Sequence, residues 1–101
     1  MITAIKTPEQ IKIAQQNYIK ESEDRAVQYL IDQFNSQIVT TTPNQDGSFT
    51  LRLYLARPAG ITDVSNIEKR FIIHCVTSGW RVKKLSDIGD CRILVTVIST
   101  L

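Results

Sequence analysis

The chain has 101 residues, with twelve Lys and Arg against ten Asp and Glu for a formal net charge of +2, which excludes a heavily basic nucleic-acid coating. Hydrophobic residues at 43% and charged ones at 22% suit a chain that folds around one core, residues 1–101 as a single domain, and exclude general disorder. The longest purely apolar runs are triplets such as Phe71-Ile72-Ile73, far short of a membrane-spanning helix.

The opening MITAIKTPEQ lacks the apolar core of a secretory leader, so no export signal is expected. Thr7-Pro8-Glu9-Gln10 is a helix start: Thr7 caps, Pro8 suits the first helical position, and Gln10 reaches back to close a capping box. No Gly or Pro interrupts the helix expected from there to about Asn35, and Ile11, Ala14, Tyr18, Ser22, Ala26 and Tyr29 form a stripe that Leu30 and Phe34 widen. The polar patch Glu21-Ser22-Glu23-Asp24 leaves open a kink in this helix. Ile38 to Thr42 is β-branched and reads as a strand. Asn44-Gln45-Asp46-Gly47 is turn chemistry, and Phe49, Leu51, Leu53 and Leu55 alternate with polar residues as a second strand closing a hairpin.

Arg57-Pro58-Ala59-Gly60 breaks the chain, Ser65 with Glu68 offers a second capping box, and the helix it opens ends at Gly79. Trp80 to Lys84 alternates as a third strand, residues 86–90 turn, and Cys91 to Ile98 returns as a fourth. A shift of 42 residues superposes the two halves without a gap, matching Tyr29-Leu30-Ile31 to Phe71-Ile72-Ile73, and Leu51, Leu53 and Leu55 to Ile93, Val95 and Val97. The expected fold is therefore α+β. It is a two-layer sandwich with an α-β-β-α-β-β pseudo-repeat, in units of about 8–56 and 62–101. Four antiparallel strands in the order 1-2-4-3 carry both helices on one face. Ile38, Phe49, Leu51, Leu53, Leu55, Trp80, Val82, Cys91, Ile93, Val95 and Val97 would face the helices. The open face would carry Val39, Thr41, Thr50, Arg52, Tyr54, Arg81, Lys83, Arg92, Leu94, Thr96 and Ile98.

Catalytic signals are weak. His74 and Cys75 are helix neighbours, whose side chains diverge by about 100°, so they do not form a nucleophile–base pair. The single His and two Cys, reduced in a cytoplasmic setting, lack the spacing and the fourth ligand of a zinc site. Phosphate-binding and hydrolase motifs are absent. No enzyme activity, cofactor or metal is expected.

Charge is uneven: residues 1–50 hold four basic against six acidic residues, and residues 51–101 hold eight against four. Arg52, Arg81, Lys83 and Arg92 with Tyr54 make the open sheet face a candidate binding face, with the physics but not the signature motif of sheet-type RNA binders. Solvated polar cover is the plainer reading of the same side chains. The leading expectation is a non-enzymatic binding module working through protein–protein contacts. The alternative is a nucleic-acid-binding domain using the basic face, and no membrane partner is expected.

The first helix, if straight, overhangs a domain of this size, and its residues 8–21 have no counterpart in the repeat. Ile11, Tyr18 and Ile19 there, and Leu94 and Ile98 on the open face, are candidate self-association residues. A homodimer would cover them by pairing the extensions or stacking the sheets. A kink near Ser22 would instead fold the extension back.

The helix end Thr77-Ser78-Gly79-Trp80 running into a basic strand resembles small bacteriophage-type accessory proteins of unknown function. The resemblance covers those few residues. It implies an accessory role in a bacterial host cytoplasm and carries over no functional residue.

Overall fold

A computed structural model describes residue 2 and residues 4–55 and 64–100 of the chain. Five elements follow in order: α1 (Pro8–Ile38), β1 (Phe49–Tyr54), α2 (Ser65–Thr77), β2 (Trp80–Gly89) and β3 (Arg92–Ser99). The break expected at residues 57–60 lies outside the described residues.

The capping box at the start of α1 forms as the sequence predicts. Thr7 Oγ1 accepts from the Gln10 backbone N–H at 3.2 Å, and Gln10 Oε1 accepts from the Thr7 N–H at 2.9 Å. From there the helix is continuous through Ser22 to Ile38. Its 31 residues span about 46 Å at 1.5 Å per residue. Only the second half is packed: Ser22, Ala26, Val27, Leu30 and Phe34 are buried, whereas every residue from 8 to 21 is exposed. Tyr29, expected in the stripe, is exposed on the flank.

The expected first strand is not there. The sheet has three strands, not four, because α1 runs on through Ile38 and residues 39–42 turn away. Two forces decide this. Ile38 continues the stripe of Leu30 and Phe34 and packs against the core. The threonines then close the helix end: the Gln37 carbonyl accepts from Thr41 Oγ1 at 2.7 Å, Thr40 N–H at 3.1 Å and Thr40 Oγ1 at 3.3 Å. Hydroxyls that can satisfy orphan carbonyls compete with strand pairing, and here they prevail. Val39 and Thr41 accordingly belong to no sheet face.

The three strands that form keep the expected neighbours. They are antiparallel in the order β1-β3-β2, with Leu51 opposite Val95 and Leu53 opposite Ile93. Leu51, Leu53, Leu55, Ile93, Val95 and Val97 are buried beneath the helices, and Phe49, Trp80 and Val82 are half-buried beside them. Trp80 meets Phe34 and Phe49 edge-on, at ring-centroid distances of 5.7 and 5.9 Å. The repeat therefore survives only between β1 and β3, since β2 has no counterpart strand at residues 38–42. It fails in the helices, where buried Phe34 is matched to exposed Val76, and exposed Tyr29 to fully buried Phe71.

Helix α2 buries Ile67, Phe71 and Cys75, each four residues from the next. Val64, not Ser65, occupies its N-cap position, with no side-chain capping bond. Across the helix pair, Arg70 bonds Asp24 at 2.6 Å and Asn66 bonds Glu23 at 3.0 Å. The strand β2 is longer than expected and ends at Gly89; the hairpin turn is Asp90-Cys91, both with positive φ. Cys91 is thus an exposed turn residue and not a core-facing strand residue.

Candidate functional site

The face of the sheet away from the helices can be read row by row from the strand register. Tyr54 lies beside Arg92, which pairs with Gly89; Arg52 lies beside Leu94, which pairs with Ser86. Thr50 lies beside Thr96, which pairs with Lys84, and the last row is Ile98 with Arg81. Each of these four rows holds one cation, and none holds a carboxylate. Arg52, Arg81, Lys84 and Arg92 are exposed and have no hydrogen-bond or ion-pair partner among the described residues. Leu94, Thr96 and Ile98 of the central strand are half-buried between them.

Four of the five expected binding residues, Arg52, Tyr54, Arg81 and Arg92, are brought together on this face. Lys83 differs from them in having a partner. A bulge between Val82 and Lys84 makes it an extra residue with no register partner, and its ammonium is bonded to Asp46 at 2.8 Å. Lys84 takes the register position opposite Thr96 on the open face. Strict alternation from Trp80 assigns Lys84 to the covered face, and nothing in the local sequence announces the bulge that reverses it.

Asp46 reaches Lys83 because its loop folds onto the sheet. Asn44 Nδ2 donates to Ser48 Oγ at 3.1 Å and to Thr50 Oγ1 at 3.0 Å, and Thr50 Oγ1 meets Thr96 Oγ1 at 3.4 Å. Asp46 Oδ1 accepts from the Ser48 N–H and hydroxyl. The Lys83 ammonium first, and the two Ser48 donors after it, hold the Asp46 carboxyl well below the usual carboxylate range. At the opposite end of the face, Gln33 of α1 brackets the edge of β1. It accepts from the Tyr54 N–H at 2.7 Å and donates to the Tyr54 carbonyl at 2.8 Å. The Tyr54 ring lies 6.1 Å from that of Tyr29 and is 44% exposed.

The candidate self-association residues fall on two separate surfaces. Leu94 and Ile98 belong to the cationic sheet face, while Ile11, Tyr18 and Ile19 lie on the projecting half of α1. Stacking two copies of the sheet face would oppose eight unpartnered cations within roughly a Debye length of one another, so like-charge repulsion weighs against that mode.

No family model, curated protein or solved structure matches this chain.

His74 is exposed and Cys75 is buried, so the two diverge as helix neighbours do. Desolvation pushes the Cys75 thiol up to about 11. Among the described residues no group of three or more His, Cys, Asp or Glu is placed to hold a metal ion. No described helix is long and apolar enough to cross a membrane.

Proposed function

We propose that the protein is a non-enzymatic binding module that docks an acidic patch of a partner protein on the open face of its sheet. The observation that carries this reading is the make-up of the face: half-buried Leu94 and Ile98 along the central strand, with Arg52, Arg81, Lys84 and Arg92 around them and without a partner among the described residues. A less polar centre within a charged, Arg-rich rim is the composition of protein interfaces. Cations of one sign draw an acidic partner in and orient it. The phage-like helix end supports placing this work in the cytoplasm of a bacterial host.

A nucleic acid is the second reading, supported by Tyr54, an exposed ring one row from Arg52 and beside Arg92, where a base can stack. One experiment separates the two. The tagged protein and its Arg52→Glu/Arg81→Glu variant are used to capture partners from bacterial lysate, with and without nuclease. The expected result is a protein retained after nuclease and lost with the variant, with affinity reduced roughly tenfold or more. Capture abolished by nuclease, with steeply salt-dependent binding to generic RNA or DNA, establishes the second reading instead. Capture unchanged by the variant removes the sheet face from both.

A further inference from the structure

The first four turns of α1 are capped, continuous and without packing from any other described element. Residues 8–21 are all exposed, and the molecule extends 66 × 28 × 22 Å in consequence. Its radius of gyration is 17.5 Å, against about 13 Å for a compact chain of this length. A helix this short gains little stability from propensity alone; packing of one face normally supplies it. That face is present. Ile11, Gln15, Tyr18 and Ser22 follow the 4-3-4 spacing of a helix-pairing seam, with Ile19 on its flank. Ile11, Tyr18 and Ile19 are 44%, 52% and 38% exposed.

We infer that a second copy of this chain covers that seam, by antiparallel pairing of the two projecting helices about a two-fold axis at Gln15. Charge selects the direction. Residues 6–20 hold Lys6, Lys12 and Lys20 against Glu9, whereas residues 21–32 hold Glu21, Glu23, Asp24 and Asp32 against Arg25. The acidic excess persists with Arg70 bonded to Asp24. Parallel pairing sets like halves together. Antiparallel pairing about Gln15 brings Lys6 and the positive helix N-terminus of each copy beside Glu21, Glu23 and Asp24 of the other, while Lys12 and Lys20 stay within the shared overlap. An axis at Gln15 puts each Ile11 against the other copy's Ile19, and Pro8 beside Ser22, where each body begins. Gln15 meets its twin, a polar seam residue that penalises slipped registers. The pairing leaves both cationic sheet faces open, so it stands independently of their proposed use.

Sedimentation of the full chain across the micromolar range is expected to give a dimer mass, and Ile11→Glu/Ile19→Glu a monomer that still unfolds in one cooperative transition. Neither side chain touches the core, so the variant folds. In a Cys91→Ser background, Gln15→Cys is expected to form an intermolecular disulfide under mild oxidation. Ile11→Cys is not, because its twin lies about 12 Å away along the axis, beyond the roughly 7 Å between Cα atoms that a disulfide spans. A monomer at every concentration overturns the inference, as does a dimer that survives Ile11→Glu/Ile19→Glu. Cross-linking at residue 11 equal to that at residue 15 overturns the antiparallel arrangement. The Arg52→Glu/Arg81→Glu variant keeps its dimer mass, so failure of the sheet-face reading and failure of this one are told apart.

Discussion

Cys91 occupies a position that suits glycine. Its φ of 57°, following 53° at Asp90, is the left-handed backbone that a two-residue hairpin turn requires. A side chain there costs about 1 kcal/mol, so Cys91→Gly should raise the unfolding free energy by about that amount, moving the urea midpoint up without changing the slope. The two thiols should also separate by reactivity. Exposed Cys91 reacts with a disulfide reagent at pH 8, while buried Cys75, held protonated at a value of about 11, reacts only in denaturant. Titration is therefore expected to count one thiol in the native protein and two in the unfolded. The third residue is Asp46. Its folded carboxyl titrates below the unfolded one, so the folded state binds its proton less readily and this contribution grows with pH. It is complete above the ordinary carboxylate value near pH 4 and disappears as the pH falls toward the lowered one. Asp46→Asn should flatten the acid limb of stability against pH; an unchanged limb shows that the Lys83 contact contributes nothing in solution.

Among the elements, the end of α1 shows how side-chain hydroxyls can outbid strand propensity. Ile38-Val39-Thr40-Thr41-Thr42 is strand-like by composition, yet Thr41 Oγ1 bonds the Gln37 carbonyl in a partly buried setting. Removing that bond with Thr41→Val, whose shape is nearly the same, should cost about 1 kcal/mol. The far-UV spectrum should retain its helix content; a gain of strand signal would show that the hydroxyl alone holds the segment out of the sheet. Gln33 has the complementary role at β1. By bonding both the N–H and the carbonyl of Tyr54 it occupies one position of an otherwise available sheet edge. The other edge strand, β2, is interrupted by bulges and carries Lys83 and Lys84 where they discourage a foreign strand.

For the whole molecule, the division that matters falls at Ser22. Among the described residues every buried one lies at or beyond it, with Leu30, Leu51, Leu53, Ile67, Phe71, Ile93, Val95 and Val97 nearly inaccessible. Replacing Phe71 with Ala at the centre of this cluster should cost about 3–5 kcal/mol, enough to lower the melting temperature by many degrees in a domain this small. A chain lacking residues 1–18 gives up none of those contacts. It should melt where the dilute full-length protein does. The full chain's melting temperature should rise with protein concentration, because association stabilises the folded state by mass action. The shortened chain should show no such rise.

Local chemistry in the sequence was sufficient wherever one short-range force acted alone. The Thr7–Gln10 capping box, the 3.6-residue spacing of Leu30 and Phe34, and the two-residue alternation of Leu51, Leu53, Ile93, Val95 and Val97 each name a conformation and a buried side. The α+β class, the adjacency of the three strands and the clustering of Arg52, Tyr54, Arg81 and Arg92 followed from them. Tertiary structure decided the positions where two local preferences compete. Threonines 40 and 41 could enter a strand or close a helix, and the outcome depended on Ile38 finding core beneath it. Lys84 could face either way, and the bulge opposite β3 turned it to the open face. The sheet's size and the membership of its cationic face were settled there, because burial and cross-strand register are properties of contacts between segments distant in the chain.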